Sequence, residues 1–263
     1  MRKLILTTFL SLALASVAGA DTLTEKIDRT FDVRPGANVA VANVNGRITV
    51  RSWDQPRVRV IAIKKVESRN TTSAKEVLAK LKVNIQATGN NVAVHTEHPK
   101  NGNGGDFFDW IFGDSVDSSV TYEVFVPRAT TNVAVDNTNG SINLDGVNGK
   151  MQLETTNGRI EVLRSTGALE ATTTNGGIKA ELVSAAKGQP LHLETTNGRI
   201  SLTLPATFAA DLDAATSNGS VTTDLPVSTT RAGKDSLRGS INGGGTALRL
   251  RTTNGSIEIK AAR

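Results

Sequence analysis

Few residues in this chain have the type and spacing that chemistry needs. Glu154, Glu161 and Glu194, with Asp211 and Asp213, fall at outward positions of strand-like segments. Glycoside hydrolysis needs two carboxyls at a set separation, one of them protonated. Glu154 and Glu194 occupy equivalent places two repeats apart, about 10 Å if the repeats stack at the usual strand spacing. That is marginal for a catalytic pair and ordinary for exposed polar positions. His95, His98 and His192 are scattered, and His95-x-x-His98 lacks the HExxH spacing of a helical zinc site. No serine is flanked as in GxSxG. There is no phosphate loop and no aspartate-rich calcium nonapeptide. The sequence therefore predicts a non-enzymatic protein with no catalytic residue, no metal and no cofactor.

The elements that carry these side chains repeat. Residues 135–202 hold VDNTNGSINL, LETTNGRIEV, ATTTNGGIKA and LETTNGRISL. The Asn-Gly steps are Asn139-Gly140, Asn157-Gly158, Asn175-Gly176, Asn197-Gly198, Asn218-Gly219 and Asn254-Gly255, with an early copy at Asn45-Gly46. From Asn139 onward the gaps are 18, 18, 22, 21 and 36 residues. Arg238-Gly239-Ser240-Ile241 reads as a degenerate copy that splits the last gap. Two residues after each glycine comes a β-branched residue, and between them a polar or small one, so the strands alternate inward and outward. Glycine, and asparagine at little cost, reach the positive φ of a tight turn. A row of hairpins and a solenoid both fit. The solenoid is favoured, because near-identical residues at equal positions are what parallel, in-register stacking rewards. The Thr-Thr-Asn tracts would then form hydroxyl and amide ladders. The expected fold is all-β, a β-solenoid of roughly 18–22-residue TxNGxI repeats, with one short helix near 72–82.

Composition agrees. Aromatics make up 4% of the chain and glycine numbers 24, which suits thin coils packed with small and β-branched residues. Residues 1–20 read as a signal peptide, with Arg2 and Lys3, the apolar run Leu4 to Val17, and Ala18-Gly19-Ala20 before Asp21. Without cysteine there is neither a disulfide nor a lipid-anchoring thiol. No later stretch would span a bilayer, so the mature chain should be periplasmic or extracellular, without a transmembrane segment. The formal charge of +5 falls to +3 without Arg2 and Lys3, weak support for any acidic partner and none for nucleic acid. Arg57, Arg59, Lys64 and Lys65 form a basic strand that reads as a solvated face, or as a contact for anionic lipid or polysaccharide.

Residues 21–128 form a β-rich N-terminal part, and 129–263 the repeat region. Ser73-Ala-Lys-Glu76 is a capping-box pattern for the helix. Strands follow at 83–87 and 91–96. Residues 99–118 stand apart: PKNGNGG precedes Phe107, Phe108, Trp110, Ile111 and Phe112. These side chains either fold back over an open end of the sheet or form an exposed tip that docks on a partner. Asp106, Asp109, Asp114 and Asp117 argue against insertion into an anionic bilayer. Pro205 and Pro226 predict irregular corners in the later coils.

VTYEVFVP leading into the TxNGxI copies, LPATFAADLDAATSNGSV, and SLRGSINGGGTALRLRTTNGSIEI at 236–259 together resemble the bacterial adhesin-like, or toastrack, β-strand-repeat family, a domain of unknown function. The resemblance covers about Phe31 to Ile259. It implies an exported all-β envelope domain, with members associated with adhesion and with envelope-stress sensing, and it brings no catalytic residues. Sensing members often carry transmembrane helices that this sequence does not show. The expected function is an adhesin-like interaction or scaffold module for an envelope protein or glycan. The alternatives are a secreted polysaccharide-cleaving enzyme and an envelope-stress accessory protein that docks through its aromatic loop.

Overall fold

A computed structural model describes residues 9–17, 20–68, 71–98, 116–128, 131–184 and 188–262, with side chains described from residue 22 onward. Two strands flank each Asn-Gly step, and they belong to different sheets. The strand before the step (Thr131–Asn139, Met151–Asn157, Leu169–Asn175, Leu191–Asn197) lies in an 11-stranded front sheet. The strand after it (Ile142–Asp145, Ile160–Thr166, Ile178–Ser184, Ile200–Leu204) lies in an 11-stranded back sheet. Pairing between repeats is parallel and in register, with Asn139, Asn157, Asn175 and Asn197 side by side in front. Ile142, Ile160, Ile178 and Ile200 do the same behind. The fold is a solenoid, and the hairpin reading is excluded because the two strands of a repeat never pair with each other.

Alternation does the packing. In Met151–Asn157 the residues Met151, Leu153 and Thr155 point inward and Gln152, Glu154 and Thr156 outward. Leu153 and Leu193 of the front sheet and Ile160, Val162, Ile200 and Leu202 of the back sheet belong to one continuous core. Each buried isoleucine contributes about 2 kcal/mol, and only the neighbouring coils bury it.

Stack order is not sequence order. Thr246–Asn254 inserts between Leu191–Asn197 and Ala210–Asn218, and Ile257–Ala261 inserts between Ile200–Leu204 and Val221–Thr223. The last repeat therefore sits inside the one before it. The expected copy at Arg238-Gly239-Ser240-Ile241 is not a coil. It lies on Ser236–Ile241, which runs antiparallel to Ala210–Asn218 and, on its other side, to Val227–Ala232. Pro205 and Pro226 stand at the corners that lead into these irregular segments.

At the other end, Ala37–Asn45 and Ile48–Trp53 stack directly on the first repeat. Asn91–Glu97 joins the front sheet parallel to Ala37–Asn45, and Asp117–Pro127 joins the back sheet parallel to Ile48–Trp53. Lys82–Thr88 closes the front sheet as a hairpin with Asn91–Glu97. The back sheet continues antiparallel through Arg57–Ser68 and Ala20–Asp32 to Phe9–Val17. The helix spans Thr71–Lys80, so Ser73 lies inside its first turn and is not the cap. Ala74, Val77 and Leu78 pack on Leu23, Val66 and Val116.

Candidate functional site

The corner at the Asn-Gly steps is built by three side-chain columns. In stack order the asparagines are 45, 139, 157, 175, 197, 254 and 218. From Asn139 onward each Nδ2 donates to the Oδ1 of the coil before it at 2.8–2.9 Å. One turn inward, Thr155, Thr173, Thr195, Thr252 and Thr216 are buried. Their hydroxyls donate to the carbonyls of Gly140, Gly158, Gly176, Gly198 and Gly255. Asn137 and Asn43 take the same place, with Nδ2 on the carbonyls of Gly46 and Val120. The expected amide ladder is therefore present, while the threonines bond the next backbone and not one another.

The glycines answer mainly to space. A Cβ on Gly158 would lie 2.0 Å from the carbonyl oxygen of Gly140, so any side chain would force the coils apart. Gly140 adds a positive φ of 141°, but Gly158 has none, so turn conformation alone does not account for the motif.

The third column, in the same order, is Arg47, Ser141, Arg159, Gly177, Arg199, Ser256 and Ser220. The three arginines are exposed. Arg47 Nε donates to Ser141 Oγ at 3.2 Å.

The front face carries a groove of ≈ 470 Å³ floored by Ala40, Ala42, Ala93 and Ala134 and rimmed by Gln86, His95, Asp136, Gln152, Glu154 and Glu170. It continues into a dip of ≈ 310 Å³ beside Asn38, Asn91 and Asn132. Asn38 donates to Asn91 Oδ1 and Asn132 donates to Asn38 Oδ1, a second amide ladder. The signal for this groove was in the sequence: Asn-Val-Ala-Val occurs at 38–41, 91–94 and 132–135, and these three copies stack in register.

The carboxylates do not converge. Glu154 and Glu194 share the front face with Thr172 between them, whereas Glu161 lies on the back sheet and pairs with Lys179 at 2.9 Å. Asp211 accepts from Ser240 Oγ and the Gly245 amide. Burial raises the Asp213 carboxyl, but hydrogen bonds from Arg238 and Arg251 outweigh it and hold the group below its ordinary value. His95 contacts Glu97 at 3.1 Å and His192 contacts Glu194 at 3.2 Å. Burial holds His98 below the usual imidazole value. Among the described residues no cluster of three or more such groups could hold a metal ion, and no helix is long and apolar enough to cross a membrane.

The basic strand is internally matched. Arg57 pairs with Asp32, Arg59 with Asp28, and Lys65 with Glu67. Lys64 is buried, with Nζ 2.8 Å from Glu25 and donating to the carbonyls of Leu78 and Leu81 at the helix end. It is a structural strand and not a free anion contact. The aromatic run Phe107, Phe108, Trp110, Ile111 and Phe112 lies outside the described residues.

The model of the Toastrack domain (Toastrack DUF4097) matches residues 34–260. The chain belongs to the Toastrack family. The match runs from the approach to the first coil almost to the end of the last back-sheet strand, so the whole stack is Toastrack domain. No curated protein matches. Among solved structures, a candidate cell adhesion protein from Clostridium sporogenes has a TM-score of 0.48 at 10% identity, covering 89% of this chain and 99% of that one. A candidate adhesin from Bacteroides fragilis has a TM-score of 0.37 at 11% identity, covering 90% and 97%. Scores this low carry no argument about this Toastrack protein's function.

Proposed function

We propose that this Toastrack protein is an exported, non-enzymatic component of the bacterial cell envelope that holds a glycan or protein partner on its stacked strand faces. The observation that carries the reading is the front-face groove. Its alanine floor is set on a backbone laddered on both sides, parallel throughout except at the hairpin strand Lys82–Thr88, and its rim is of amides, carboxylates and His95. Such a surface offers hydrogen bonds in fixed places and needs little ordering on binding. The export reading rests on residues 1–20, whose removal would take away Phe9–Val17 and leave the strand Ala20–Asp32, shortened to begin at Asp21, as the edge of the back sheet. Intact mass of the protein recovered from the periplasm, beginning at Asp21, checks that step.

The test is retention from envelope extract, with protein, sugar and peptidoglycan fractions read separately. Ala134→Trp should fill the groove from outside, leave the core intact and abolish retention. Deleting 101–114 should leave retention in place. If only the deletion abolishes it, the aromatic run is the docking site and the stacked faces are not. Turnover of any cell-wall polymer, lost in Glu154→Gln or Glu194→Gln, would sink the non-enzymatic reading.

A further inference from the structure

The Asn-Gly corner is the patterned charged surface that the groove leaves unused. Its arginines stand on alternate coils. Arg47 and Arg159 flank the coil of Ser141, and Arg159 and Arg199 flank that of Gly177. The Cα positions of successive arginines are therefore two strand spacings apart, about 10 Å. Among the described residues none of the three forms an ion pair, in contrast to Arg57 and Arg59 on the matched strand. Glu161, two residues beyond Arg159, is engaged by Lys179. Gly177 leaves the space between Arg159 and Arg199 without a side chain. Beside the arginines runs the exposed asparagine ladder, which leaves each inner amide one N–H and one lone pair unspent.

We infer that this corner binds a linear acidic polysaccharide bearing one negative group on every second sugar. An extended sugar residue advances by roughly one strand spacing, about 5 Å, so alternate sugars would meet alternate coils. Guanidinium forks pair with carboxylate or sulfate in a planar, two-point fashion, and the amide ladder supplies hydrogen bonds to the hydroxyls of the intervening sugars. A nucleic acid strand fits less well. The charges of each duplex strand recur about every 3.4 Å of helix axis, and single strands are gripped by stacking on aromatic rings, of which this corner has none among the described residues.

The inference rests on the envelope-interaction reading and adds to it a second surface with its own partner class. The test is affinity electrophoresis of the purified chain through gels containing hyaluronate (one carboxylate per disaccharide), polygalacturonate (one per sugar) or dextran (none). Hyaluronate should retard the protein most and dextran not at all, and high salt should abolish the effect by screening. Serine already occupies this column at 141, 220 and 256, so the Arg159→Ser/Arg199→Ser variant keeps the coil. It should lose about tenfold in apparent affinity, a few surface ion pairs' worth. The charge-matched control Arg34→Ser/Arg249→Ser, off the corner, should lose nothing. Equal loss in both variants, equal retardation by polygalacturonate, or none by hyaluronate overturns the inference. If envelope extract is still retained in that last case, the broader reading stands without it. If neither binds, both fall.

Discussion

At Gly158 a single hydrogen atom is all that the neighbouring coil admits, since a Cβ there would meet the Gly140 carbonyl at 2.0 Å. The corner therefore ranks its own substitutions. Gly158→Ala must push neighbouring backbones apart and should cost about 3 kcal/mol, the upper end for forced overpacking. Thr155→Val keeps the shape but strips the hydroxyl from the Gly140 carbonyl and should cost about 1–2 kcal/mol. Asn157→Ala opens an exposed ladder and should cost about 0.5–1 kcal/mol. Denaturant unfolding of the three variants checks the order, and an asparagine costlier than the glycine would refute it. Titration is also decided locally. The hydrogen bond from Arg59, opposed by burial, holds Asp28 below its ordinary 3.8. The folded state then binds fewer protons than the unfolded chain. The stabilisation is complete above pH 3.8 and is lost as pH falls through the lower folded value. Asp28→Asn should remove that part of the acid slope. An unchanged slope would mean that the pair does not hold in solution. At this scale the asparagine column was legible because it repeats. The space around glycine was not, since a motif says nothing of how near the next backbone lies.

Among the elements, the helix is fastened by one buried cation. Lys64 meets Glu25, the Leu78 carbonyl in the last turn of Thr71–Lys80 and the Leu81 carbonyl just beyond it, where positive charge complements the helix dipole. Lys64→Met should leave Glu25 without its partner beneath the helix and cost about 3 kcal/mol, while Lys64→Met with Glu25→Leu should recover most of it. Thermal melts of the single and double variants check this, and a double variant no better than the single would contradict it. Strand existence, alternation and the helix were legible from hydrophobic period and composition. The helix expected near 72–82 is Thr71–Lys80, and Ser73 with Glu76 imitates a cap from inside its first turn. The copy at Arg238 was misread because Gly-Ser-Ile fits the motif, although its strand pairs antiparallel.

For the whole molecule, the order of coils sets the length and charge pattern of every surface. The repeat carried the architecture in plain sight, but not the position of the last coil, since both final copies offer the same asparagine to the ladder. A physical cue exists: Val221-Thr-Thr is poorer in apolar side chains than Ile257-Glu-Ile. The poorer copy takes the outermost place, where Val221 stays half-buried and Ile257 is fully covered. The candidate surfaces were less legible. The groove depends on three Asn-Val-Ala-Val copies meeting at sequence offsets of 53 and 94 residues, and the alternation of arginines matters only once the coils are stacked. The chain has no cysteine, so the order can be tested without background by paired substitutions on the ladder. In Asn197→Cys/Asn254→Cys the two thiols sit on adjacent coils, within reach of a disulfide. In Asn197→Cys/Asn218→Cys a full coil separates them. Oxidation of the folded protein, followed by peptide mapping, should link 197 to 254 and leave 197 and 218 free. A bond between 197 and 218 would mean that the repeats stack in sequence order, and that the surfaces described here are wrongly assembled at that end.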